Sequence, residues 1–112
     1  MPIHLVRTKA TAEQVTEMLD ALGGYIKLAV DIERRMLAGG GALHADCEAV
    51  LLENGSSQEW IWGADWVPLT RKVYFEALIN LRPGKRNMSL TIEDPEIRRR
   101  VEQIARDLLE AE

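Results

Sequence analysis

The stretch that decides the fold is IKLAVDIERRMLA, residues 26–38. Its first seven residues alternate between apolar and mostly polar side chains, which is typical of a β-strand with one face against a core. We expect Met36, Leu37 and Ala38 to return beside this strand as the second half of a hairpin. The intervening residues 33–35 are poor turn formers, so a helix over residues 26–37 remains open as the alternative.

Three other segments carry apolar residues at helical spacing. The first begins with the capping pair Thr11 and Gln14, and it ends at two glycines. The third begins at Asp94, a preferred N-cap residue, followed by Pro95 in the first helical position. The predicted helices cover residues 11–22, 45–53 and 95 to the C-terminus.

The remaining strands are predicted at residues 3–7, 60–62 and 73–81. Gly63 is expected to end the second of these, and the third is the strongest strand pattern in the chain. Its predicted inward face consists of Val73, Phe75, Ala77, Ile79 and Leu81. We therefore predict a single α+β domain over residues 1–112, with a mainly antiparallel sheet of four or five strands. Its three helices pack chiefly on one face, in the order β-α-β-β-α-β-β-α.

The composition argues against several classes of protein: nucleic-acid and lipid binders that act through overall charge, membrane-spanning proteins and disulfide-stabilised proteins. The chain has 46% hydrophobic and 29% charged residues and a net charge of −4, so no overall field attracts phosphate backbones or anionic lipids. No apolar run approaches the roughly 20 residues that a membrane span needs. The single cysteine, Cys47, excludes an internal disulfide and fits a reducing compartment. We expect a cytoplasmic protein without a cofactor.

The glycine run at residues 39–41 precedes the second helix, and the backbone N–H groups of Gly40 and Gly41 could approach an anion. The run lacks the lysine of a phosphate-binding loop. Asp46 and Glu48, at the start of the helix, would repel a phosphate. The sequence therefore favours a flexible turn followed by acids that suit the positive end of a helix.

His44, Asp46 and Glu48 are a candidate metal site, because alternate residues share a face of an extended segment. Imidazole and carboxylate groups bind hard or borderline divalent ions, and Asp31 or Glu33 could complete the set. Such a site would suit a metal-dependent hydrolase. The helix dipole already accounts for the acids, so this pattern alone does not establish a site.

Cys47 and the three tryptophans are further candidates for a catalytic or binding role. With His44 three residues earlier, Cys47 could act as a nucleophile, although a lone cysteine in such a helix is usually a buried packing residue. Trp60, Trp62 and Trp66 lie within seven positions. We expect them in the core or at a dimer contact, and the alternative is the wall of a ligand pocket.

A basic, glycine-containing loop spans residues 82–87. Arg82, Lys85 and Arg86, with Asn87 at its end, could contact phosphate or nucleic acid. The acidic balance of the chain makes nucleic-acid binding the third-ranked hypothesis.

Several short motifs along the chain match those of a known family: Asp31-Ile32-Glu33, residues 40–46, Glu48, Leu51-Leu52-Glu53, Gly55-Ser56, Trp62-Gly63, Arg82-Pro83 and residues 94–98. Through these motifs the sequence resembles a family of short bacterial and archaeal proteins known only as a domain of unknown function. The resemblance spans about residues 3–110. It implies a stand-alone cytoplasmic protein and brings no catalytic residue with it. The family pattern has an asparagine two positions after its Trp-Gly pair, where this chain has Asp65.

Three functional hypotheses follow. The first is a non-catalytic module that binds a partner or small ligand, or that forms a homodimer to cover its strand edges and tryptophans. The second is the hydrolase-like enzyme at the glycine loop and His44, and the third is phosphate or nucleic-acid contact. We favour the first, because the sequence shows no set of nucleophile, base and orienting residue.

Overall fold

The computed structural model describes residues 3–111, which form three α-helices and a five-stranded sheet. The strand order in the sheet is β1-β3-β2-β4-β5, and all neighbouring strands are antiparallel. The predicted α+β class and the chain order β-α-β-β-α-β-β-α are confirmed. The elements are β1 (His4–Val6), α1 (Ala12–Leu19), β2 (Ile26–Asp31), β3 (Met36–Gly39), α2 (His44–Glu53), β4 (Ile61–Val67), β5 (Lys72–Tyr74) and α3 (Pro95–Leu109).

Residues 26–38 form the hairpin, so the helical alternative is wrong. The side chain of Asp31 closes the turn, because its Oδ1 accepts hydrogen bonds from the backbone N–H groups of Glu33 and Arg34, both at 2.9 Å. Arg35 takes a left-handed conformation with a φ of 55°. The carboxylate at the end of the strand thus stabilises the turn by accepting its backbone N–H groups, although residues 33–35 are poor turn formers.

The sheet is covered on both faces. Helices α1 and α3 pack on one face, where they bury Leu28, Val30 and Trp66. Helix α2 packs on the opposite face against small residues such as Ala29 and Ala38. We expected the three helices chiefly on one face. Ala29, which the alternating pattern assigned to the non-core side of β2, is instead buried beneath α2.

The strand predicted at residues 73–81 is largely wrong, because β5 ends at Tyr74 and a single 3₁₀ turn follows at Leu78–Asn80. Buried Asn80 replaces regular pairing: its Oδ1 accepts from the N–H of Gly63 at 2.7 Å. Its Nδ2 donates to the Gly63 carbonyl at 3.0 Å and also contacts the Phe75 and Leu90 carbonyls. The side chain of Asn80 therefore makes the hydrogen bonds to β4 that the backbone of a neighbouring strand would otherwise make.

Gly63 lies within β4 and does not end it, in contrast to the prediction. A Cβ atom at this position would lie 2.5 Å from the Cβ of Ala77 and 3.0 Å from Cγ1 of Ile79. The segment that follows β5 can cross β4 this closely only because residue 63 has no side chain. Within residues 3–111, no helix is long and apolar enough to cross a membrane.

Candidate functional site

His44 is the first residue of α2, and its ring joins the helix to β4. Its Nε2 lies 2.8 Å from Oδ1 of Asp65 and 3.1 Å from the Ala64 carbonyl oxygen. Both partners are acceptors, so Nε2 carries the hydrogen and the neutral ring has its lone pair on Nδ1. Asp65 thus fixes both the orientation and the tautomer of His44.

The predicted metal set does not assemble. Asp46 is exposed, and the carboxylate of Glu48 lies 3.0 Å from Nη2 of Arg82. Among residues 3–111, no group of three or more His, Cys, Asp or Glu side chains could hold a metal ion. The prediction assumed an extended segment, but α2 already begins at His44, and residues two apart on a helix do not share a face.

Asp31 and Cys47 have structural roles. Besides closing the hairpin turn, the buried Asp31 accepts a hydrogen bond from Oγ of Ser56 at 2.6 Å, so both carboxylate oxygens are in use. Cys47 is a fully buried residue of α2, and this burial raises the pKa of its thiol to about 11. This burial argues against a nucleophilic role for Cys47, because it disfavours the reactive thiolate.

The glycine loop is tied to the neighbouring hairpin. Gly40 has a φ of 103°, and its N–H donates to the carbonyl of Lys27 at 3.3 Å. A Cβ at Gly41 would lie 3.2 Å from Sγ of Cys47, so this glycine lets the loop approach α2. The ammonium of Lys27 donates to the Ala42 carbonyl at 3.1 Å.

Arg82 of the basic loop turns inward. Its guanidinium donates to the carbonyls of Ile79 and Gln58 and to the carboxylate of Glu48, and it lies 5.3 Å from the centre of the Trp62 ring. Burial lowers the pKa of Arg82, and the charge of Glu48 opposes that shift. The Arg82 guanidinium therefore already binds protein groups and is not a free cation for phosphate.

The other residues of the basic loop differ in their surroundings. Lys85 lies 3.4 Å from a carboxylate oxygen of Glu59, while exposed Arg86 takes a left-handed conformation. Asn87 is buried: its Nδ2 contacts three backbone carbonyls, those of Asn80, Ser89 and Thr91. This candidate binding residue thus holds the loop together.

Two adjoining cavities flank Leu78, which is 72% exposed. One cavity, of about 470 Å³, is lined by His44, Lys27 and Glu76. The other, of about 570 Å³, is lined by Arg82, and the two cavities share Leu78 and Ile79. Four of the eight exposed large hydrophobic residues among residues 3–111 lie on these cavity walls. We call them the Leu78 surface: Leu43, Leu78, Leu81 and Leu90.

A family model for proteins of unknown function, DUF5674, matches residues 4–108. The chain belongs to the DUF5674 family. The resemblance seen in the sequence is confirmed over nearly the whole chain. No curated protein and no solved structure matches it.

In this DUF5674 member, sequence reasoning missed Asp65 as the partner of His44 and Leu78 as the centre of an apolar surface. The sequence feature that could have pointed to Asp65 is its departure from the asparagine of the family pattern. The feature that could have pointed to Leu78 is its position on the outward face of the predicted strand 73–81, where an apolar residue is unexpected. Candidate residue Trp62 is buried in the core and is not on the walls of the two cavities beside Leu78.

Proposed function

We propose that this protein is a non-catalytic interaction module that forms a homodimer through the Leu78 surface. The observation that carries the proposal is the concentration of exposed leucines around two adjoining cavities. A contiguous apolar patch with a polar rim is the ordinary signature of a protein-binding surface. The proposal includes a cytoplasmic location, which the one free cysteine supports.

The charges on this surface suit a second copy of the chain. Lys27 and Glu76 line the same cavity, and neither forms an ion pair with another described residue. A two-fold axis places each patch against its own copy. In such a dimer Lys27 of one subunit can face Glu76 of the partner subunit, so that opposite charges meet around the leucines.

The dimensions of the chain allow such a contact. A stable interface buries about 800 Å² on each partner, and the accessible surface of the chain is 6138 Å². Fully burying a leucine side chain contributes roughly 1.5–3 kcal/mol. Four leucines around two concave cavities give the buried apolar centre that an interface of this size needs.

The first test compares Leu78→Glu with Leu69→Glu. Leu69 is 94% exposed and lines neither cavity, so its substitution is the matched control. Light scattering after size-exclusion chromatography should give about twice the chain mass of 12.6 kDa for the unmodified protein and for L69E. L78E introduces a carboxylate on both sides of the interface and should weaken association by a factor of about 100 or more. A monomeric unmodified protein, or a dimeric L78E variant, contradicts the proposal.

A charge exchange tests the orientation of the two copies. Lys27→Glu and Glu76→Lys should each weaken the dimer, because each places like charges opposite one another. The double variant K27E/E76K restores the pairing and should recover most of the affinity. If the loss of association free energy in the double variant equals the sum of the losses in the two single variants, this two-fold arrangement is incorrect.

The contact between His44 and Asp65 favours a second candidate function, which is general-base catalysis in the adjoining cavity. A carboxylate bonded to Nε2 holds the ring in place and leaves the lone pair on Nδ1, where it could accept a proton from a substrate. Hydrolysis of p-nitrophenyl acetate by the unmodified protein, by H44N and by D65N would test this role. Activity that falls in both variants supports the candidate, and equal rates in all three proteins exclude it for this substrate class.

A further inference from the structure

A third cavity shares no lining residue with the two cavities beside Leu78 and lies between the start of α1, the end of β4 and the end of α3. Its volume is about 610 Å³, which is within the range of small-molecule sites. Val15 of α1 and Leu109 of α3 supply apolar wall. The cavity therefore has room and apolar surface for the body of a small ligand.

The charged groups around this cavity favour an anion. Lys9 and Arg71 line it, and neither side chain forms an ion pair or hydrogen bond with any residue from 3 to 111. Among residues 3–111, the one acid on the wall is Glu110, whose carboxylate lies 2.7 Å from Nη1 of Arg106, and the same guanidinium also binds Glu102. Within the described residues, Lys9 and Arg71 thus have no counter-charge, while Glu110 shares the charge of Arg106 with Glu102.

Trp66 gives an independent observation. Trp66 lines the same cavity, the residue is 1% exposed, and its buried Nε1–H has no hydrogen-bond acceptor within the described part of the chain. A buried donor without an acceptor costs about 1–3 kcal/mol. An oxygen atom of a ligand provides the missing acceptor only if the cavity wall shifts enough to expose this buried N–H.

We propose that the cavity between α1, α3 and the end of β4 binds a small amphipathic carboxylate. The carboxylate lies near Lys9 and Arg71, one of its oxygens accepts the hydrogen bond of the Trp66 indole, and the apolar chain packs along Val15 and Leu109. This site is separate from the Leu78 surface and does not depend on the homodimer.

The test uses octanoate as the probe and octan-1-ol as its neutral counterpart. The indole N–H signals of the three tryptophans are followed by ¹H–¹⁵N NMR during titration of the full chain. Trp66→Phe assigns the Trp66 signal. Octanoate should shift that signal saturably, with at least fivefold tighter binding than octan-1-ol. No saturable shift with octanoate, or equal affinities for the two probes, overturns the proposal.

Two variants separate the proposed contacts from general apolar binding. Lys9→Gln with Arg71→Gln removes both exposed cations, and it should weaken octanoate at least fivefold while leaving octan-1-ol unchanged. Trp62→Phe is the matched control for Trp66→Phe, because the Trp62 indole N–H also lacks a partner in residues 3–111 but Trp62 does not line this cavity. Octanoate affinity, followed by backbone amide shifts, should fall in W66F and stay the same in W62F. Unchanged affinity in K9Q/R71Q overturns the proposal.

Discussion

Replacing Asn80 with alanine is expected to lower the free energy of unfolding by about 3–5 kcal/mol. Asn80 is fully buried, and its amide serves both backbone groups of Gly63 as well as the carbonyls of Phe75 and Leu90. Alanine leaves at least one buried N–H and one buried carbonyl of Gly63 without partners, and each such group costs about 1–3 kcal/mol.

Urea denaturation followed by tryptophan fluorescence measures this loss, and Asn54→Ala is the control. Asn54 is exposed, and its amide donates only to the Val50 carbonyl at the end of α2, so N54A should cost less than about 1 kcal/mol. Asn80→Asp keeps the acceptor for the Gly63 N–H but removes the donor. It places a carboxylate beside carbonyl oxygens, so it should destabilise at least as much as N80A. If N80A and N54A have similar effects, Asn80 does not organise the segment that carries Leu78.

Two further predictions concern the core. Gly63→Ala should destabilise the protein by about 1–3 kcal/mol in urea denaturation, because the added methyl group meets Ala77. Gly24→Ala, where a Cβ meets no atom within 4 Å, should change stability by less than about 0.5 kcal/mol; equal effects would contradict the close crossing at Gly63. The second prediction is a pH dependence caused by Cys47, whose folded-state pKa is raised from 9.0 to about 11. Above pH 9 the unfolded thiol loses its proton while the folded one keeps it, so stability should fall between pH 9 and 11. The fall attributable to the thiol is at most about 2–3 kcal/mol. Comparison with Cys47→Ala isolates this effect, and parallel pH profiles for the two proteins would show that the thiol does not contribute.

The sequence predicted the elements well wherever one local pattern decided the structure. The capping pair Thr11 and Gln14 is present at the start of α1 as a reciprocal cap, and Asp94 caps α3. The alternation over residues 26–32 correctly favoured a strand. Each of these features depends on residues within a few positions of one another.

The errors arose where distant residues decide the local structure. The pattern at residues 73–81 is that of a strand, but Asn80 bonds to Gly63, seventeen positions away, and replaces strand pairing. The partner of His44 is Asp65, twenty-one positions away, so the nearer acids were assigned to a shared site in error. Neither contact leaves a periodic signal in a single sequence.

The central claim, that two copies meet at the Leu78 surface, is tested most directly by isotope-filtered NMR on an equimolar mixture of chains. One chain carries ¹³C-labelled leucine methyl groups and the other is unlabelled. We expect intermolecular nuclear Overhauser effects at the methyl groups of Leu78, Leu81 and Leu90, and none at Leu69. Intermolecular contacts confined to other leucines, or none at a protein concentration of several hundred micromolar, would contradict this account.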